Sequence, residues 1–414
     1  MSQSQRLWIL VIAFLSLVFD GFELGLMPVA SLSVSKSLLG DRFTPAAGGD
    51  WFAWFTAAMM LGAAVGGIIF GNLGDRYGRT RAMGISILFY SVFASLGALV
   101  SSQEEMLLLR FLVGLGVGGL WPNAMSLVAE CWPQASRSLV SGTMMAGLNA
   151  GIFLLSQFAR LWPITPEAWR WLFSFAGLPA ILGLVAWGLL PESPQWLATK
   201  SRRPRPASPW QSLWSQEHRY RTIVGIVLSS IPMVGAWSAS KWMIPWADAV
   251  AGSVSATYKA ETQGWWAIGA ILGSFTGAQL SRWLGVRFSY ALISLLTVVL
   301  TVTMFLGTEP LQASFHPLVL AQGLFATLFF GWLSVFLPEL FPVTVRATGS
   351  GLCYNFGRFA TAIGVLFAGG LFHLLGGSYP QVGAWCASIY GLGLLAIWFA
   401  DPSMIRPDTQ KPEP

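Results

Sequence analysis

"GNLGDRYGRTR", residues 71–81, places one acid, three arginines and three glycines in eleven positions between two long apolar runs. Such a segment is a turn on a wet rim. The runs it joins, 51–72 and 82–101, each supply the ~20 residues that a helix needs to cross ~30 Å of hydrocarbon. A weaker copy, "GAQLSRWLGVR" (277–287), sits further along, and at an offset of 206 Gly67, Gly71 and Arg76 coincide with Gly273, Gly277 and Arg282. At an offset of 209, "ECWPQASRSLVSG" (130–142) meets "ELFPVTVRATGSG" (339–351) at Glu, Pro, Arg, Ser and Gly. Matches at charged, Pro and Gly positions are not explained by shared hydrophobicity, so the chain reads as two related halves.

Apolar runs fall at 7–30, 51–72, 82–101, 104–128, 138–161 and 169–190, then at 220–246, 260–281, 287–306, 315–337, 346–374 and 381–400. The fold class expected is an all-α membrane protein of twelve transmembrane helices in two pseudo-symmetric six-helix bundles, 1–190 and 220–414, joined by a linker at 191–219. Of 414 residues 54% are hydrophobic and 10% charged, against ~25% charged in a soluble domain. Near-continuous apolar windows exclude a string of soluble domains. A parallel six-plus-six repeat is the signature of a transporter whose site lies between the halves at the bilayer midplane. The linker, with "SRRPRPASPW" at 201–210, reads as a basic connector near anionic lipid. The first run is too long for a signal peptide and reads as a retained helix.

The net charge of +6 does not imply a nucleic-acid partner, because the basic residues lie in short connections and follow the positive-inside rule. Sixteen Lys and Arg fall on the side of the termini and six, Lys36, Arg42, Arg160, Arg170, Lys241 and Lys259, on the other. Both termini are therefore expected in the cytoplasm, with the protein a multi-pass resident of the cytoplasmic membrane. Cys131, Cys353 and Cys386 have neither pairing nor metal spacing. No cofactor or metal is expected, and the partners are the bilayer and a small molecule, with the chain a monomer.

Charges inside spans are costly, ~2.5–3.5 kcal/mol each at mid-helix, and face a cavity or a partner. Asp20 and Glu23, in "LVFDGFELGLMP" (17–28), and Arg110 and Arg358 fall in this class. Glu23 lies seven residues, ~10 Å, from the outer end of its run and Arg110 lies at a matching depth in the fourth, which makes them partners. A buried Glu beside Arg is poised to load and release a proton; the alternative is a permanent structural ion pair. Asp20, one turn deeper, is a second relay site or a cation contact. Arg358 needs an anionic partner at its depth, and an internal pair with Asp20 or Glu23 is one reading. Candidate pocket residues are Asn123, Asn149, Gln157, Gln322, Tyr354, Asn355, Trp121 and Trp237, with Trp265, Trp266 and Trp332 as further walls. Glycines spaced by four, such as Gly62 and Gly66 or Gly269, Gly273 and Gly277, point to close helix packing.

"GNLGDRYGRTR" resembles the signature loop of the major facilitator superfamily, and 277–287 resembles its degenerate second copy. "LRFLVGLGVGG" (109–119) is similar to the family's span 4 motif. "PESPQWL" (191–197) and "PELFPVTVRATGSG" (338–351) resemble segments of its sugar porters and metabolite:proton symporters. The resemblance covers essentially the whole chain. It implies a proton-coupled symporter working by alternating access, with a span 1 acid, aligned at Glu23 of "FELG", paired to the span 4 arginine. Glu stands where many relatives have Asp. In related organic-anion and aromatic-acid carriers an Arg stands at the "GR" position of Arg358, which implies a carboxylate or sugar-acid substrate.

Asp75, Arg76, Arg79, Glu130, Arg137, Arg282, Glu339 and Arg346 are expected at the cytoplasmic face, as a latch between the halves or as topology-setting charge. A neutral-sugar porter, a proton-exchange efflux pump and a transport-inactive sensor are the rival readings. The first would need a richer Asn and Gln cage, the second would use the same acids, and the third a long cytoplasmic extension. An enzyme is not expected, since His218, His316 and His373 are scattered and no nucleophile–base pair appears.

Overall fold

Gly78 and Gly285 carry φ of +116° and +76°, a backbone region that only glycine enters freely. They make the sharp turns of the two repeated loops. In the computed structural model, which describes residues 1–132, 137–200, 209–341 and 345–401, these turns join helices that fill the predicted runs. The first half contains α1 (Gln3–Leu39), α2 (Pro45–Tyr77), α3 (Arg79–Leu96), α4 (Gln103–Cys131), α5 (Arg137–Leu161) and α6 (Arg170–Gly188). The second contains α7 (Arg219–Ala251), α8 (Tyr258–Leu284), α9 (Val286–Leu306), α10 (Phe315–Glu339), α11 (Arg346–Leu374) and α12 (Tyr379–Phe399). Among the described residues there is no strand.

Local chemistry fixes several ends. Ser2 and Ser102 close capping boxes with Gln5 and Glu105, and Thr44 caps α2 ahead of Pro45, satisfying N–H groups that a helix start leaves without partners. The first span runs nine residues past its expected end at Ala30. The serines that make 31–39 look like a loop, Ser31, Ser33 and Ser35, are buried against the bundle. Eleven of these helices are long and apolar enough to cross a bilayer by length and composition among the described residues. The twelfth, α8, carries Lys259, Glu261 and Gln263 in its first turns, with Lys259 and Gln263 buried. Its outer face still presents Trp265, Leu272 and Phe275, as a lipid-facing wall should.

The packing repeats. In the first half α2 packs on α4, α1 on α5, and α3 on α4 and α6; in the second, α8 packs on α10, α7 on α11, and α9 on α10 and α12. Glycines permit the α2/α4 and α8/α10 contacts: a Cβ on Gly66 would come within 1.9 Å of the Leu115 carbonyl oxygen, and one on Gly273 within 2.3 Å of that of Leu324. The spaced glycines are thus packing residues.

The halves meet through α2 with α11 and α5 with α8, and polar and ring contacts close the seam on the face away from the termini. There Lys259 Nζ donates to Ser33 Oγ at 3.0 Å, His373 lies 3.5 Å from Asp50, Arg160 lies 3.8 Å from Glu261, and Gly49 abuts Phe372. One turn beyond the contact of Gly67 with Asn355, towards the termini, Gly71 and Gly351 meet nothing within 4 Å among the described residues. Four-residue spacing keeps these positions on the same helix faces, so the two helices diverge there.

Candidate functional site

Three prolines and a break shape the centre of the bundle. Pro28, Pro122 and Pro232 lie within α1, α4 and α7, each removing a helix hydrogen bond. Helix α7 is interrupted after Ser238 by a 3-10 turn at Ser240–Trp242 before resuming at Met243. Irregular backbone at membrane depth is tolerated where it lines a cavity, and a cavity lies here. It is about 100 Å³ in volume, and its lining includes Asp20, Trp121, Asn149, Trp237, Lys241, Trp266, Tyr354 and Arg358. At ~10–15 Å³ per water position, this is room for several waters or one small molecule. Both halves contribute, and the wall is mostly apolar with a few charged and polar groups, the usual build of a small-molecule site.

Glu23 and Arg110 come together behind this wall. Arg110 Nη1 lies 2.6 Å from Glu23 Oε1, with the two side chains 0% and 1% exposed. Arg110 also sits 5.7 Å over the Phe173 ring. Glu23 Oε2 and Arg110 Nε and Nη2 find no further partner among the described residues, so the pair lacks the supporting hydrogen bonds that offset the cost of burying charge. Asp20, one turn away, is buried, faces the cavity, and leaves Oδ1 without a protein partner.

Arg358 reaches from α11 into the first half. Its Nη1 donates to the carbonyls of Ala63 at 3.4 Å and Gly118 at 3.3 Å, and its guanidinium lies 5.3 Å over the Tyr354 ring. No carboxylate is within ion-pair distance of it among the described residues. The internal-pair alternative is therefore not what is seen: Glu23 is engaged with Arg110, and Arg358 acts on Asp20 only through its field. Trp121 and Tyr354 stack at 6.4 Å, one from each half.

The other candidates divide. Asn149 lines the cavity and bridges the halves, donating to Ser274 Oγ at 3.0 Å. Asn123 is instead a packing residue, donating to the carbonyls of Phe70 at 3.0 Å and Gly119 at 2.8 Å. Gln157 is turned to Ser156 and Arg160, and Asn355 lies against Gly67; neither lines the cavity. Gln322 stands one layer behind, accepting from Trp266 Nε1 at 2.9 Å and donating to Ser240 Oγ and Thr301 Oγ1. Trp332 is fully buried away from the cavity, and Trp265 faces outwards.

In the rim set, Arg79 pairs with Asp75 at 2.6 Å and Glu130 at 3.4 Å, all within the first half. Arg76, Arg282 and Glu339 lie on the same exposed rim. The side chains of Arg137 and Arg346, and linker residues 201–208, lie outside the described residues. The "PES" segment has a structural task there: Glu192 accepts from the backbone N–H of Arg79 at 2.9 Å and Thr80 at 3.2 Å, and Trp196 Nε1 donates to the Asp75 carbonyl at 3.0 Å.

Lys241 is the residue that the charge count misplaced. Counted in a connection on the far side, it is instead 3% exposed, in the break of α7 and on the cavity wall. A lysine within the predicted run 220–246 was the available signal. Lys259 is likewise buried, 2.9 Å from Asp248.

The family model for the Major Facilitator Superfamily matches residues 9–308. The cis,cis-muconate transport protein of Acinetobacter baylyi is 29% identical over 372 residues, 86% of this chain and 87% of that one. The gallate transporter of Pseudomonas putida is 27% identical over 402 residues, 88% and 85% of the respective chains. The crystal structure of the nucleoside transporter NupG superposes with a TM-score of 0.72 over 97% of this chain and 100% of that one at 11% identity, a likeness of fold.

Proposed function

Because this chain belongs to the major facilitator superfamily, and is a multi-pass membrane transporter rather than an enzyme, we propose that it is a proton-coupled symporter of a small organic anion. The observation that carries the reading is the central cavity between the halves, where Arg358 has no carboxylate partner among the described residues and Asp20 lies on the same wall. Muconate and gallate, named for two relatives, are carboxylates, which favours an anion over a neutral sugar.

The residues divide the work as follows. Arg358 receives the substrate carboxylate in a charge-assisted, fork-like contact, in exchange for its long bonds to two backbone carbonyls. Asp20 and Glu23 carry the coupling proton: protonation of Glu23 loosens its hold on Arg110, and protonation of Asp20 removes the negative charge that competes with the substrate for Arg358. No cofactor takes part. The far face is taken as the outer one, with the termini in the cytoplasm, and the contacts across the seam on that face, with α2 and α11 diverging towards the termini, fit an inward-facing arrangement. Opposite charges on the rim close the cytoplasmic side in the alternate state; individually weak at ~0–1 kcal/mol, together they bias a two-state equilibrium. A monomer in the cytoplasmic membrane suffices for this cycle.

Uptake of a carboxylate panel into proteoliposomes, with and without an imposed inward proton gradient, tests the reading. Accumulation should follow the gradient, and Arg358→Ala should abolish recognition of every carboxylate. Accumulation indifferent to the gradient removes symport, and intact recognition in Arg358→Ala removes the anion reading.

A further inference from the structure

The cavity has a second cation that the mechanism above leaves unused. Lys241 lies in the 3-10 turn that interrupts α7, 3% exposed, and lines the same cavity as Arg358. Its Nζ has no hydrogen-bond partner, and no acid is within ion-pair distance among the described residues. Its one strong contact is with the Trp266 ring, whose centroid is 3.3 Å from Nζ. A cation–π contact compensates only part of what an ammonium loses when water is stripped from it.

The turn is held in place by a dedicated network. Ser240, next in sequence to Lys241, bonds to Tyr390 Oη at 2.9 Å and receives a hydrogen bond from Gln322 Nε2. Gln322 in turn accepts from Trp266 Nε1 at 2.9 Å. One buried amide thus fixes both the backbone that carries Lys241 and the ring beneath its ammonium. An intramembrane charge held on a cavity wall without an anion is a ligand-binding group by default. The wall carries two cations, Arg358 and Lys241, against one acid, Asp20, because Glu23 and Arg110 neutralise each other behind it. Once Asp20 is protonated the wall presents two basic side chains and no anion of its own.

We propose that the substrate is a dianion whose two carboxylates are divided between Arg358 and Lys241, making the protein a dicarboxylate carrier. This rests on the anion reading above and narrows it. The test uses full-length protein in nanodiscs, titrated calorimetrically with pairs matched in shape but differing by one carboxylate: succinate against butyrate, adipate against hexanoate, and terephthalate against 4-methylbenzoate. At least one dicarboxylate should bind about tenfold or more tightly than its partner, the scale set by one charge-assisted contact. Lys241→Gln, or Lys241→Met, which keeps the apolar stem, should bring that ratio to about one while leaving monocarboxylate binding in place. Lys241→Arg should retain the preference. Binding of monocarboxylates with no dicarboxylate preferred overturns the proposal and spares the anion reading, as does a preference unchanged in both neutral variants. If the neutral variants do not fold, the wild-type ratio and Lys241→Arg decide by themselves. Absence of binding by either class removes the anion reading and this proposal together.

Discussion

Arg110 Nη1 lies 2.6 Å from Glu23 Oε1, and neither side chain is exposed beyond 1%. Removing one member of such a pair strands the other charge, at ~3–5 kcal/mol. Glu23→Gln strands a guanidinium that cannot shed its charge, whereas Arg110→Gln strands a carboxyl that can take up a proton, so Glu23→Gln is expected to lower the thermal unfolding temperature in detergent by more than Arg110→Gln. Combining Glu23→Gln with Arg110→Gln should recover much of that loss, because no uncompensated charge remains. In transport, Glu23→Gln should lose uphill accumulation and keep substrate exchange. Equal loss of both activities would make the pair structural.

The glycines make a prediction by contrast. Gly66 meets the Leu115 carbonyl at 1.9 Å from a built Cβ, whereas Gly71, in the signature loop's first position, meets nothing within 4 Å. Gly66→Ala forces α2 away from α4 and should destabilise by ~1–3 kcal/mol, the usual cost of overpacking. Gly71→Ala adds a methyl to open space within a helix and should be neutral or stabilising by ~0.4–1 kcal/mol. Thermal unfolding of the two variants side by side separates packing from mere sequence pattern; similar losses in both would contradict it.

Where the sequence reading succeeded and failed follows from what each residue has to satisfy. Helix positions were legible because charged rims must interrupt apolar spans, and the Glu23–Arg110 contact because opposite charges inside spans need partners; the depth count that matched them started from Ala30, nine residues short of the end of α1. Residues 31–39 fall outside the expected span because serines look like loop, yet a buried serine can be satisfied by backbone, as Ser33 Oγ is by the Ile164 carbonyl at 3.0 Å. Asn123 shows the converse limit: a polar side chain within a span can serve a neighbouring carbonyl as readily as a substrate. Lys241 escaped because a break in α7 cannot be seen in hydropathy, and a lysine near the end of a span was taken for a rim charge.

Glu192 ties the linker side of α6 to the signature loop. It accepts from the backbone N–H groups of Arg79 and Thr80 at the start of α3, and a Cβ on Gly78 would lie 2.1 Å from its Oε2. Glu192→Ala removes an N-terminal cap, worth ~0.5–2 kcal/mol, and should loosen residues 71–81 without touching the cavity. Faster labelling of a cysteine placed at Asn72 is the expected readout, with substrate affinity unchanged. A matching loss of affinity would show that the loop and the site are not separable in this way.

Alternating access requires the far-side seam to open, and Ala53 and Gly369 provide a direct means of stopping it. They face each other across α2 and α11, where a Cβ built on Gly369 lies 2.7 Å from that of Ala53. A disulfide needs ~3.5–4.5 Å between Cβ atoms, so a slight relaxation of the seam brings Ala53→Cys and Gly369→Cys into bonding range. The native cysteines Cys131, Cys353 and Cys386 are buried and give little background. Oxidation of the double variant should trap the arrangement seen here and abolish uptake, and reductant should restore it. Each single variant should remain active under oxidant. A fully crosslinked protein that still accumulates substrate would mean that this seam does not open during transport, and the rocking of the halves would have to be abandoned.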